Sequence, residues 1–310
     1  MQKIIWGVTA TLLLSTAVIV VLCWRRPLAV VAWINRRALV HAGFSRIEVP
    51  TTVGKQTLFF AGTGASMILL HGAGDQAGAW AKVAPELKGK YRVIVPDLAG
   101  HGDSEPKLGP LHVATVLLGL EQIANAEPGK LIIVGNSLGG WVAALYARKY
   151  PDKIARLVLV NGGPVTGLRP DITLTPRTRA EARRTTTALF DPGSFDLPDY
   201  VLDDIVRESQ TGPLMRLSET ANEMPRYLLD GRLNEITVPV NLVWGESDQV
   251  MSLVYAKGML SQLPNAQLTV LSRCGHAPEM ECPKAFTRRL MEVLESPVIP
   301  HKEYRGAEGQ

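Results

Sequence analysis

From Arg46 onward the chain is written in short apolar runs set apart by polar, glycine-bearing and proline-bearing stretches. The segments "RIEVP", "TLFFAG", "SMILLHG", "YRVIVPD", "LIIVGN", "ARLVLVNG", "VPVNLVWG" and "AQLTVLSRCG" read as strands. The last six are almost continuously apolar, which is the pattern of strands covered on both faces. Stretches with helical spacing separate most of them, at Ala114 to Ala124, Leu138 to Lys149 and Leu253 to Leu263. Buried strands alternating with helices predict an α/β fold built on a mostly parallel central sheet flanked by helices.

One interval breaks the alternation. Between Pro164 and Thr237 no strand pattern occurs, and "TRAEARRTTTALF", "DYVLDDIVRESQ" and "MPRYLLDG" read as helical pieces punctuated by proline and glycine. The expectation is a helical cap, residues 165–235, inserted between a first core segment, 46–164, and a second, 236–298. Residues 299–310 read as a frayed tail.

The chain before Arg46 follows another rule. Ile4 to Trp24 carries no charge, and about 20 apolar residues at 1.5 Å rise cross a hydrocarbon core. Residues 1–26 therefore read as a single-pass membrane anchor, with the bilayer met through residues 4–24. A cleaved signal peptide is the alternative, because Ser15-Thr16-Ala17 has the small residues of a cleavage site, but the stretch exceeds a normal signal core. Residues 27–45 read as a juxtamembrane linker helix, either lying on the membrane surface or simply connecting. Arg25, Arg26, Arg36 and Arg37 on one side of the span outweigh Lys3 on the other, which predicts a cytoplasmic catalytic domain.

Charge changes little once it is located. The net +4 arises from residues 1–65, where seven Lys/Arg face one acid, and the rest holds 26 bases against 28 acids. No basic stripe with interleaved aromatics occurs, which excludes nucleic acid as the expected partner. The three cysteines, Cys23, Cys274 and Cys282, predict no disulfide framework and fit a reducing compartment. No Cys/His spacing resembles a zinc site, and neither metal nor cofactor is expected.

Candidate chemistry concentrates in "LIIVGNSLGGW", where Gly135-Asn136-Ser137-Leu138-Gly139 falls between a strand and a helix. A helix-capping serine has the same local sequence, but the strand before and the helix after select a nucleophile. Gly135 and Gly139 let strand and helix approach, so that Ser137 can hold a strained backbone with its oxygen above the sheet. A serine hydroxyl needs a base kept in one tautomer by a carboxylate. His276, after a strand in "CGHAPEMECP", is the candidate base. Asp248, just beyond the strand in "VWGESDQVM", is the candidate acid and is preferred to Glu246. His71 and His101 read as supports of glycine turns, and His41, His112 and His301 as surface or linker residues. Developing negative charge on the substrate oxygen requires two backbone N–H donors. These are assigned to Leu138 and to Ala73 of "HGAGD", with Gly74 as the substitute for Ala73.

At these residues the chain resembles the α/β-hydrolase superfamily from about Thr57 to Leu294. "LLHGAG", "VPDLAGHGDS", "VGNSLGGW", "WGESDQV" and "CGHAPEMECP" occur in that family's order, with Ser, Asp and His in its triad order. With an N-terminal anchor, the chain looks most like membrane-bound monoacylglycerol-lipase-type serine hydrolases. That resemblance implies hydrolysis of carboxylic esters, of lipid or small-ester type. "HGAGDQAGAW" and "GNSLGG" also resemble hydrolases that cleave carbon–carbon bonds in meta-cleavage products, although Ala277 stands where those carry tryptophan. A non-catalytic lipid-binding module on the membrane is the remaining alternative.

Overall fold

The computed structural model describes residue 21 and residues 24–167 and 171–305. The expected membrane span therefore lies, apart from Val21 and Trp24, outside the described residues. Among the described residues no helix is long and apolar enough to cross a membrane.

The chain runs α1 (Pro27–His41), β1 (Ser45–Thr51), β2 (Gly54–Ala61), β3 (Ala65–Leu70), α2 (Ala84–Leu87), β4 (Tyr91–Pro96), α3 (Val113–Ala126), β5 (Leu131–Asn136), α4 (Leu138–Lys149) and β6 (Ile154–Val160). It continues with α5 (Arg179–Leu189), α6 (Asp199–Thr211), α7 (Pro213–Ser218), β7 (Val240–Gly245), α8 (Leu253–Gln262), β8 (Ala266–Leu271), α9 (Pro278–Glu281), α10 (Pro283–Glu295) and β9 (Glu303–Arg305). The strands form one sheet ordered β1-β2-β4-β3-β5-β6-β7-β8-β9. β1 and β2 are antiparallel, and from β4 to β9 every pairing is parallel.

Side chains alternate across a strand, so the continuous apolar runs feed two cores. In β3, Ile68 and Leu70 join the core beneath α3, α4 and α8, while Met67 and Leu69 join the core that holds Trp80 and Phe286. Because both faces are covered, the central strands bring their C-terminal ends to a single water-facing edge. In open α/β sheets that edge is where ligands bind.

Two features differ from the sequence expectation. The region read as a frayed tail contains β9, whose Glu303 lies opposite Leu268 of β8. Three residues are too short to show a strand period, and only the unpaired edge of β8 makes them a strand. Cys274 and Cys282, from which no disulfide framework was expected, form a disulfide with Cα atoms 6.0 Å apart. The turn through α9 folds the chain back and closes this distance, which sequence spacing alone does not reveal.

Among the described residues, 161–239 contain helices and turns without a strand. α5 opens on Thr178, whose hydroxyl accepts from Glu181 N while the Glu181 carboxylate accepts from Arg177 N, a reciprocal cap. α1 packs as part of the domain. Its Leu39 is buried, Leu28 N donates to Asp204 of α6, and Arg26 pairs with Glu208 of the same helix.

Candidate active site

Ser137 is the single residue between β5 and α4, at φ 51° and ψ −116°. A side-chain residue in this left-handed region is strained and must be held by its surroundings. Its N–H donates to Val160 O at 2.9 Å, and its carbonyl accepts from Trp141 N. The glycines enforce the turn by contact. A Cβ at Gly135 would lie 2.4 Å from Gly139 C, and one at Gly162 would lie 2.4 Å from Ser137 Cα.

The candidate acid and base, Asp248 and His276, arrive on the loops after β7 and β8. Asp248 Oδ2 and His276 Nδ1 are 2.7 Å apart, with the carboxylate fully buried and the imidazole 12% exposed. Asp248 Oδ1 accepts from Val250 N and Met251 N at 2.8 and 2.9 Å, and Oδ2 also accepts from Asn161 Nδ2 at 2.7 Å. A carboxylate so bound accepts only, so His276 Nδ1 carries the proton and Nε2 presents a lone pair. Glu246, the rival acid, is exposed and donates its N–H to Leu271 O, so the pairing falls on Asp248. Ser137 is joined to this pair through its neighbour, because Asn136 Nδ2 donates to His276 O at 2.8 Å.

The loop carrying Ala73 lies against Ser137. A Cβ at Gly72 would stand 3.3 Å from Ser137 Cβ. Gly74, at φ 79°, faces Leu214 of α7, which brings the helical stretch between β6 and β7 over this loop. Leu138 begins α4, so its N–H belongs to the unpaired first turn of a helix, aimed at the edge where charge would develop.

The support of this loop reaches back to α1. Arg36 donates to Gln76 Oε1 and Asp97 Oδ2, both at 2.7 Å, and also binds Asp103. Gln76 Oε1 in turn accepts from Gly78 N, and Asp97 Oδ1 accepts from Ala77 N, so one guanidinium ties down the turn after Ala73. His71 Nε2 accepts from Leu98 N at 3.0 Å and Nδ1 donates to Gly72 O at 2.7 Å. The His71 and His101 rings pack edge to face at 5.3 Å. Burial holds the two imidazoles neutral, lowering them to about 4 and about 3. They act as the turn supports expected of them.

Two acids near the site are pushed the other way. Burial raises Asp75, on the Ala73 loop, to about 6, and Glu279, three residues after His276, to about 8. The Asp75 and Glu281 charges add to the rise at Glu279. An open groove of about 690 Å³ is lined by Arg179, Arg183, Arg184 and Gln249, and not by Ser137 or His276. Among the described residues no group of three or more His, Cys, Asp and Glu is arranged to hold a metal ion.

Sequence reasoning passed over Asn136, Asn161 and Glu281. Asn161 sits at φ 44° at the end of β6, where "VNGG" puts a polar residue on the functional edge. That signal was available, because a polar residue ending a buried strand at that edge has no packing role.

A strained serine at a strand-to-helix turn beside a carboxylate–imidazole pair, on the C-terminal edge of a parallel sheet, defines a hydrolase of the α/β type. The profile of the Alpha/beta hydrolase family matches residues 67–289, and the chain belongs to that family. It is 29% identical over 288 residues to a 2-hydroxy-6-oxononadienedioate/2-hydroxy-6-oxononatrienedioate hydrolase of Cupriavidus pinatubonensis, covering 84% of this chain and 98% of the relative. It is 30% identical over 249 residues to a pimeloyl-[acyl-carrier protein] methyl ester esterase of Aromatoleum aromaticum, covering 74% and 97%. The crystal structure of a membrane phospholipase A shares the fold, with a TM-score of 0.74 at 23% identity over 95% of this chain and 98% of that one.

Proposed function

We propose that this protein is a membrane-anchored serine hydrolase of carboxylic esters, acting on monoacylglycerols or related lipid esters. The observation that carries the catalytic part is the Asp248–His276 contact at 2.7 Å beside a serine held at φ 51°. Ser137 Oγ attacks the ester carbonyl while His276 Nε2 takes its proton. The oxyanion receives hydrogen bonds from the Leu138 and Ala73 N–H groups. His276 then protonates the leaving alcohol, and Asp248 orients the imidazolium and balances its charge. Water repeats the sequence on the acyl enzyme and releases the acid.

The anchor is read from the uncharged stretch Ile4 to Trp24. Exposed apolar residues at its end and just beyond it, Trp24, Val31, Trp33 and Ile34, support the reading, and Arg37 stacks over Trp33 as bases and aromatics do at bilayer interfaces. A lipid substrate follows, because such esters partition where the anchor holds the site. For the compartment, the disulfide favours an oxidising side. Of the four arginines that pointed to the cytoplasm, Arg26 and Arg36 pair with acids of the folded domain, which accounts for their presence without topology. Against the cytoplasmic expectation, we propose on these grounds that the domain faces the oxidising side of the membrane.

The likeness to the Cupriavidus hydrolase over 84% of the chain supports a second reading, carbon–carbon hydrolysis of a dienoate by the same triad. The test is turnover of monoacylglycerols and nitrophenyl esters of graded length by detergent-solubilised protein, with Ser137→Ala alongside. Turnover lost by several orders of magnitude in the variant is expected. Ester turnover that survives Ser137→Ala refutes the mechanism, and turnover of a ring-fission dienoate without any ester moves the assignment to the second reading.

A further inference from the structure

The disulfide encloses the catalytic base. Cys274 and Cys282 are eight residues apart, and His276 lies in the ring they close. Cys274 is fully buried, and its carbonyl accepts from Ser247 N at 2.8 Å, in the loop that carries Asp248. Inside the ring, Glu281 Oε2 accepts from Gly275 N at 2.7 Å, the residue directly before His276. Its other oxygen leaves the ring for the cap, accepting from Asp191 N at 2.7 Å and Ser194 Oγ at 2.6 Å.

The cap grips the same loop directly. His276 N donates to Leu189 O at the end of α5 at 2.6 Å, and Gln249 N, beside Asp248 on the neighbouring loop after β7, donates to Ala188 O at 2.9 Å. A Cβ at Gly275 would lie 2.2 Å from Leu189 O, so cap and loop touch through backbone. The base is thus placed by three constraints that meet at Gly275 and His276: a covalent ring, a carboxylate across that ring, and the end of α5.

We propose that the Cys274–Cys282 disulfide and Glu281 are positioning elements for His276, and that opening the ring lowers turnover while the fold persists. The inference rests on the reading of Ser137, Asp248 and His276 as the triad. A ring this short removes less chain entropy from the unfolded state than a long-range bridge does. What it restrains is the path of the loop, and a base displaced by about 1 Å loses about a hundredfold in rate. Glu281 adds direction, since its carboxylate accepts at both oxygens and an amide presents donors at one of them.

The test uses the full-length, detergent-solubilised protein in oxidised, reduced and reoxidised form. A dithiol reductant gives two electrons and two protons to the bridge, leaves Cys274 and Cys282 as thiols, and becomes a cyclic disulfide. Two additional alkylated thiols by mass confirm the opening. Active sites are counted with a fluorophosphonate, kcat and KM are measured on a nitrophenyl ester, and folding is followed by thermal melt.

Reduction is expected to lower kcat per titrated site by about ten- to hundredfold with KM within about twofold, and reoxidation to restore it. Glu281→Gln is expected to fall in the same range with the bridge intact. Unchanged kcat in the confirmed reduced form overturns the proposal. So does a lower melting point with full activity in the sites that remain, because the bridge is then only a staple. An untreated protein that neither labels nor hydrolyses any ester or ring-fission dienoate refutes the reading of the triad first, and the proposal with it.

Discussion

Asn161 offers the sharpest test of how the site is held. Its Nδ2 donates to Asp248 Oδ2 at 2.7 Å, and its Oδ1 accepts from the buried Gly245 N at 3.0 Å. Asn161→Ala removes a hydrogen bond to a charged group, which contributes about 1.5–3 kcal/mol, and orphans a buried N–H at about 1–3 kcal/mol. It also places alanine at φ 44°, which costs about 1 kcal/mol more than for asparagine. These contributions share one neighbourhood and do not add fully, so the net loss is about 4 kcal/mol. A domain of this size then melts about 10 °C lower. Asp248 keeps Val250 N and Met251 N, so it stays near His276 without its lateral restraint. The expected fall in kcat is about ten- to hundredfold, smaller than the roughly 10⁴-fold loss on removing the acid's function. Asn161→Gly separates the causes. It loses the same side-chain bonds but accepts positive φ, so it should melt about 2–3 °C above Asn161→Ala at equal kcat. Melting curves and ester turnover per fluorophosphonate-titrated site give both quantities. An Asn161→Ala protein within twofold of wild type in kcat refutes the claim that this amide orients the acid.

Glu279 should make stability depend on pH. Burial raises its folded value to about 8 from an ordinary 4.5, so its neutral form is favoured in the fold. The contribution is complete below about 4.5 and is lost at about 1.4 kcal/mol per unit as pH rises towards 8. Glu279→Gln removes this slope, so the variant should gain on wild type between pH 5 and 8 in chemical denaturation, and parallel curves would exclude the reasoning. Arg36→Ala should lower stability by about 3–5 kcal/mol, because it leaves the fully buried Asp97 carboxylate without its cation. It also frees Gln76, so turnover per titrated site should fall, and an unaffected kcat would show that α1 does not support the Ala73 loop.

How much of this was legible in the sequence depends on the range of the interaction. The elbow was legible because its determinants are local: a six-residue strand that opens with four apolar residues, small residues two positions either side of Ser137, and a helix that starts at once. The succession of the later strands along the chain, and the lack of a strand pattern between Pro164 and Thr237, followed from hydrophobic period and Pro/Gly punctuation, and among the described residues 161–239 hold no strand. His276 and Asp248 were legible as polar residues directly beyond buried strands, since such positions are delivered to one edge by any parallel sheet. Choosing Asp248 over Glu246 was a matter of two positions along a turn, and only the folded loop aims one carboxylate at the imidazole and leaves the other exposed.

The remaining contacts join residues far apart in the chain, and no local pattern encodes them. Asn161 meets Asp248 across 87 positions, and Arg36 meets Asp97 across 61. β9 exists because β8 leaves an unpaired edge, and the disulfide because α9 turns the chain back on itself. The sequence by itself determined the layered α/β architecture and the residue types at the functional edge, because hydrophobic burial and turn chemistry act over a few residues. Only the tertiary structure decided which donors hold those residues and at what distance, because hydrogen bonds act over about 3 Å between segments that packing alone brings together.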